Sequence, residues 1–365
     1  MTENRSPSSF LRTIGWEDGH VVILDQTRLP GEQRDVRLRS AEDAWEAIRS
    51  LRVRGAPLIG VTAAFGLYLG MVEALEHRDA DLADELERCI DYLATARPTA
   101  VNLTWALHRA AREIAPFVSA GRETVLDQLL AFALRLLDED IATNRAMGTH
   151  GLPLLEGKSS VLTHCNAGWL ATAGYGTATA PLYLMRERGY ALPHVFVDET
   201  RPVLQGARLT AWELSRAGFD ITLICDGMAA TVMDQGKVEA VIVGCDRMTA
   251  SGDFANKIGT LGVAIIAAQF GIPFYVVAPF SSIDFSLASG REIPIEERHP
   301  DEVRRVGSAV VAPDVPVFNP AFDVTPARLV SAIVTERGVI TPPLPEGLDR
   351  LRRRTEQPSH QEQRS

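Results

Sequence analysis

The second half of the chain, after residue 150, carries short and almost unbroken apolar runs: SSVLTHC, HVFVDET, ITLICDG, AVIVGCD and PFYVVAP. Helix-like stretches such as GARLTAWELSRAG and IGTLGVAIIAAQFG separate them. Strands that are apolar throughout must be covered on both faces, and strands separated by helices run parallel. This half is therefore confined to an α/β sheet with helices on each side. Four of the five runs end on a polar or reactive group: Cys165, Asp198-Glu199, Asp226 and Asp246. Parallel strands place all their C-terminal ends along one edge, where ligands bind. Cys165 and an aspartate distant in sequence are thus expected to meet at one crevice.

The first half reads differently. SAEDAWEAIRSLRV opens with a Ser40-x-x-Asp43 capping box and repeats apolar residues at helical spacing. PLIGVTAAFGLYLGMVEALEH, NLTWALHRAAREIA and ETVLDQLLAFALRLLDEDIATNRAM follow as helices, with VVILDQTRLP as an early strand. The expected organisation is a mainly helical N-terminal domain over residues 10–150, then a Rossmann-like parallel-sheet domain over 151–348. The first nine residues and a tail over 349–365 read as solvated. The near-continuous apolar stretch 261–280 is interrupted by Gly271-Ile272-Pro273 and reads as buried helix plus buried strand rather than a membrane span.

A formal net charge of -10 argues against a nucleic-acid surface, while leaving room for a few placed cations around one phosphate. Cys89, Cys165, Cys225 and Cys245 show no C-x-x-C spacing, so neither a disulfide framework nor a zinc cluster is expected. A reducing, cytoplasmic setting fits them. No apolar leader follows the N-terminus.

His164 adjoins Cys165, yet neighbouring strand residues point to opposite faces, so the two side chains are expected to diverge. Asp226 and Asp246 each follow a cysteine, and either carboxyl in a dry crevice would hold a raised pKa suited to protonating a leaving oxygen. Spacing does not choose between them. Arg54-Gly55-Ala56, Arg97-Pro98 and Asn256-Lys257 each stand at a loop-to-helix junction, which favours a phosphate-bearing ligand. GYGTATA is an incomplete dinucleotide fingerprint, and no G-x-x-x-x-G-K-[ST] is present.

Together RVRGAPLIGVTAAFGL, RPTAVNLTWAL, LTHCNAGWLATAGYGTATAPLY, VDETRPVLQGARLTAWEL and GCDRMTASGDFANKIGTLGVAIIAAQFGIPFYVVAPFSSID resemble the methylthioribose-1-phosphate isomerase family. The resemblance runs from GHVVILDQTRLP to FNPAFDVTP. Ribose-1,5-bisphosphate isomerase and the regulatory subunits of a translation-initiation exchange factor share the superfamily. Joint presence of THCNAG, GCDR and ANKIGT points to the enzymes. The resemblance implies a cytoplasmic homodimer that isomerises an aldose 1-phosphate to a ketose 1-phosphate in methionine salvage, without metal or other cofactor. It implies a catalytic thiol at Cys165 and a proton-donating acid at Asp246. It implies substrate contacts at Arg54, Gly55, Ala56, Arg97, Gln205, Asn256 and Lys257. 5-Deoxyribose 1-phosphate is a further expected substrate.

Overall fold

The computed structural model describes residues 12–74, 81–97 and 101–356. The expected N-terminal tail and Pro98 lie outside them. Strands β1 (Ile14–Glu17), β2 (His20–Leu24) and β3 (Asp35–Leu38) form a small antiparallel sheet. Helix α1 (Ala41–Arg49) starts at Ser40, whose hydroxyl accepts the Asp43 N–H at 2.9 Å. The Asp43 carboxylate takes the N–H of Arg39 at 2.7 Å rather than that of Ser40, so half of the expected capping box forms.

Helix α2 (Ala56–Ala74) is long and apolar enough to cross a membrane by length and composition alone. Residues 58–67 are nevertheless all buried, and the helix packs against α1, α3 (Leu82–Ala94), α4 (Val101–Ile114) and α5 (Arg122–Leu155). It is the axis of a helical core, and each buried Leu, Ile or Phe there contributes about 1.5–3 kcal/mol. The change of texture near residue 150 falls inside α5. Its first half (Val125, Leu129, Phe132) belongs to the helical core, and its last turns (Met147, Leu152, Leu155) pack on the sheet. Gly148 and Gly151, inside the helix, are contact points. A Cβ on Gly148 would lie 2.8 Å from the Ala180 carbonyl oxygen, and one on Gly151 would lie 2.6 Å from Pro181.

The second half begins with β4 (Ser160–Thr163), α6 (Ala180–Glu187), β5 (His194–Asp198), α7 (Ala211–Arg216), β6 (Ile221–Ile224), α8 (Ala229–Asp234) and β7 (Val241–Val243). Strands β8 (Arg247–Thr249) and β9 (Phe254–Lys257) leave the main sheet. Helix α9 (Thr260–Gln269) and strand β10 (Phe274–Val277) return to it, divided at Gly271-Ile272-Pro273 as expected. After β11 (Ile283–Asp284) come a short helix α10 (Asp301–Arg304) and the hairpin β12 (Arg305–Val306) and β13 (Ala309–Val310). Strands β14 (Phe322–Thr325), β15 (Ala332–Thr335) and β16 (Gly338–Ile340) and helix α11 (Leu344–Glu356) complete the chain. The solvated tail expected from residue 349 instead begins inside α11, where Leu348 and Leu351 are buried in the core; 357–365 lie outside the described residues.

The main sheet runs β16-β15-β10-β7-β4-β5-β6, parallel except for β16. Both faces are covered. Val161, Val195, Ile242 and Val277 point into one apolar cluster, while Leu162, Phe196, Val243 and Val276 point into the other. The chain steps outward from β4 through β5 to β6, and then β7 returns to the opposite side of β4. The direction of winding therefore reverses between β4 and β7. In open parallel sheets that reversal leaves a crevice at the strand ends.

Candidate active site

Cys165 follows β4 and Asp246 follows β7, so the two flank the reversal. They line one cavity of about 760 Å3. The other predicted residues, Arg54, Gly55, Ala56, Arg97, Gln205, Asn256 and Lys257, line the same cavity. Strand order separates the two aspartates that sequence spacing left equal. Asp226 follows β6 at the far edge, and its two carboxylate oxygens accept the N–H groups of Thr200 (2.8 Å) and Arg201 (2.7 Å). It is a clamp on the loop after β5 and is not among the cavity-lining residues.

Cys165 has φ +66°, the left-handed region, at the point where the chain turns off the strand. Two hydroxyls hold that conformation. The Cys165 N–H donates to Thr200 Oγ1 at 2.8 Å, and its carbonyl accepts from Thr210 Oγ1 at 2.6 Å. His164 points the other way, as expected. Its Nδ1 lies 2.9 Å from the buried Asp198 carboxylate and its Nε2 lies 2.9 Å from the Ile258 carbonyl. Both partners are acceptors, so the ring satisfies them by carrying both protons. Burial pushes its pKa down, Asp198 pulls it up, and the balance is upward.

His164, Asp198 and Asp226 are close enough to suggest a metal cluster. A doubly protonated ring cannot ligate, and both oxygens of Asp226 are already bonded to backbone. This cluster is a strut, joining β4, the end of β5 and the segment that leads into α9.

The cations come from both halves of the chain. Arg54 precedes α2, where Gly55 has φ +94° and passes against Ala171; a Cβ there would lie 2.4 Å from the Ala171 carbonyl oxygen. Arg97 follows α3. Asn256 and Lys257, expected at a loop-to-helix junction, sit on β9 instead, paired with β14, and α9 begins three residues later. The Lys257 Nζ lies 4.3 Å above the Phe322 ring. Burial pulls the Lys257 and Arg97 pKa values down, and the Asp246 charge opposes that in both. Among the described residues no ion pair closes on either cation, which leaves both available to an anion.

Burial raises the Asp246 pKa against the pull of Lys257, Arg97 and Arg54. Burial likewise raises the Cys165 thiol, opposed by Arg54 and Lys257. The cavity thus offers a carboxyl whose pKa burial raises, a thiol and several cations. The buried Gln205 side-chain oxygen, also in the cavity lining, has no hydrogen-bond partner among the described residues.

Sequence reasoning overlooked Thr200, Thr210 and Asn166. Asn166 stands inside the THCNAG motif but carries no charge to draw attention. Its side-chain and backbone oxygens accept Arg54 Nη1 and Nη2 at 2.5 and 2.6 Å. Gly176 of GYGTATA serves packing: its φ is +75°, and a Cβ would lie 2.4 Å from the Gly168 carbonyl carbon.

A model of the Initiation factor 2 subunit family matches residues 52–342. A relative from Moorella thermoacetica, named 5-deoxyribose 1-phosphate isomerase, is 54% identical over 93% of this chain and 96% of its own. A methylthioribose-1-phosphate isomerase of Symbiobacterium thermophilum is 55% identical over 92% of this chain and 94% of its own. The crystal structure of 5-methylthioribose 1-phosphate isomerase from Pyrococcus horikoshii OT3 superposes with a TM-score of 0.89. It is 44% identical and covers 97% of this chain and 99% of that one.

Proposed function

The chain belongs to the Initiation factor 2 subunit family and is one of its aldose–ketose isomerases, and we propose that it converts 5-methylthioribose 1-phosphate to 5-methylthioribulose 1-phosphate, with 5-deoxyribose 1-phosphate as a second substrate. The observation that carries this reading is the convergence of Cys165, Asp246 and the cations Arg54, Arg97 and Lys257 on one cavity from both halves of the chain.

Phosphate on the anomeric oxygen blocks spontaneous ring opening. In its protonated form the Asp246 carboxyl supplies a proton to the ring oxygen as the C1–O bond breaks. The C2 hydrogen then moves to C1. In one route the Cys165 thiolate takes it as a proton and returns it to C1. In the other it migrates directly as hydride while Cys165 stabilises the transition state. In both, the 2-hydroxyl proton leaves to an acceptor, the Asp246 carboxylate, and the ketone and the acid are restored together. A thiol whose pKa is raised by burial favours the hydride route. In D2O that route places no deuterium at C1. The cations hold the phosphate, and binding energy from that group orients the reacting carbons.

An uncharged C5 substituent fits the remaining cations. Arg208 spends one guanidinium nitrogen on the carbonyls of Gln26, Thr27 and Leu29 at 3.2–3.3 Å. Arg298 is paired with Glu296 and Glu302, and Arg247 lies 3.8 Å from Asp284. Ile59, Val101, Leu209 and Ile293 supply apolar lining. An exposed apolar face of Val310, Val311, Val315 and Phe318 supports the homodimer, and a cytoplasmic role belongs to the same reading.

The test is NMR-followed turnover of both sugars, with ribose 1,5-bisphosphate alongside and Cys165→Ser and Asp246→Asn as controls. Conversion of the two uncharged-C5 sugars, lost in both variants, supports the reading. Preferential turnover of the bisphosphate would shift the substrate class, and no turnover by folded protein would remove the isomerase function.

A further inference from the structure

We infer that Asn166 is a positioning residue that locks the Arg54 guanidinium beside the Cys165 thiol and so sets how acidic that thiol is. This rests on the reading of Cys165 as a reacting group given above. Asn166 is buried, and its polar atoms are committed. Its side-chain and backbone oxygens form a two-pronged seat for Arg54. Its amide nitrogen donates to Thr210 Oγ1 at 2.9 Å and to Glu213 Oε1 at 3.3 Å. The amide cannot turn over without setting its NH2 against a guanidinium and its oxygen against two others.

Each anchor of Asn166 is itself fixed. The Thr210 hydroxyl donates to the Cys165 carbonyl. Glu213 is fully buried and accepts the Leu170 N–H at 2.8 Å, and burial pushes its carboxyl up to about 8. The network therefore runs from α7 through Asn166 to Arg54 on one side and to the Cys165 peptide on the other. A neutral amide is well suited to the seat. It orients the guanidinium while leaving its charge uncancelled, whereas a carboxylate there would neutralise it. Arg54, Lys257 and Asp246 are the charged groups facing the thiol, and Arg54 and Lys257 are the ones that favour its anion. The Asn166 backbone N–H supports the same anion.

The experiment measures iodoacetamide alkylation of Cys165 against pH, read peptide by peptide by mass spectrometry so that the exposed Cys225 does not interfere. Wild type, Asn166→Ala, Arg54→Met and the double variant are compared, with melting curves to confirm folding. Asn166→Ala is expected to raise the alkylation midpoint by about half a pH unit or more, and to add nothing in the Arg54→Met background. Equal shifts in both backgrounds, or no shift in Asn166→Ala, would overturn the inference. If Asn166→Ala does not fold, Arg54→Lys decides, because it keeps the charge but cannot fill both prongs. A raised midpoint supports the lock, and a wild-type midpoint removes it. Alkylation needs no turnover, so a protein that isomerises none of the sugars yet shows the shift would sink the proposed function and leave this inference standing.

Discussion

Replacing His164 with leucine tests whether the strut behind Cys165 is a buried ion pair. Leucine fills most of the space but leaves the Asp198 carboxylate, fully buried with one oxygen already unpartnered among the described residues, without its counter-charge. The cheapest response is for Asp198 to take up a proton. For a carboxyl of ordinary pKa near 3.9 that costs about 4 kcal/mol at pH 7 and about 1.5 kcal/mol at pH 5. The histidine works in the opposite sense. Its pKa is raised on folding, so its stabilisation is complete below the unfolded value near 6.5 and is lost as pH rises through the folded value. That offset is at most about 0.8 kcal/mol between pH 7 and pH 5. The destabilisation by His164→Leu should therefore be about 4 kcal/mol at pH 7 and shrink by about 2 kcal/mol at pH 5. Urea unfolding of both proteins at the two pH values, followed by circular dichroism and tryptophan fluorescence together, measures it. A loss below about 1 kcal/mol at pH 7, or one that grows on acidification, would refute the ion-pair account.

Three further outcomes follow from the same geometry. Asp246→Asn should lower kcat by about 10²- to 10⁴-fold with little change in melting temperature, while Asp226→Asn should cost about 1–3 kcal/mol of stability through its lost backbone acceptor; the opposite pattern would mean the two aspartates were assigned the wrong way round. Gly55→Ala should lower kcat/KM at least about tenfold, because a φ of +94° and a 2.4 Å approach to Ala171 force the Arg54 loop to move; steady-state kinetics at wild-type level would rule that out. In the free protein Cys165 should alkylate with a midpoint above the ordinary thiol value of 9.0, and Asp246→Asn should lower that midpoint because the Asp246 carboxylate, once ionised, opposes the thiolate; an unchanged midpoint would separate the two groups.

Much of the site was legible because its parts stand at the ends of apolar runs. THC and GCD announce strand termini, and R-G-A announces a tight turn before a helix. Local periodicity carries that information, since a buried strand and an amphipathic helix differ in which positions must be apolar. Asn256 and Lys257 were found as residues but misplaced as a loop, because the antiparallel partner that makes them a strand, β14, lies some 65 residues away. Asn166, Thr200 and Thr210 were missed for a related reason. Uncharged side chains gain meaning only from the partners they meet, and those partners lie 35 to 112 residues distant.

The sequence by itself determined that there would be a parallel sheet covered on both faces, a helical layer before it, and a ligand edge carrying a thiol, acids and cations. Spacing did not say which acid, although the family resemblance pointed to Asp246. Asp226 and Asp246 have nearly identical local surroundings, each following a cysteine at the end of an apolar run. Tertiary structure sets their positions apart through strand order, by returning β7 to the free side of β4 while β6 went to the far edge. A strand's apolar pattern records that it is buried but not beside which neighbour, since either flank of β4 would bury β7 equally well. The crossover that chose one flank put Asp246 across the crevice from Cys165 and left Asp226 to hold the loop behind it.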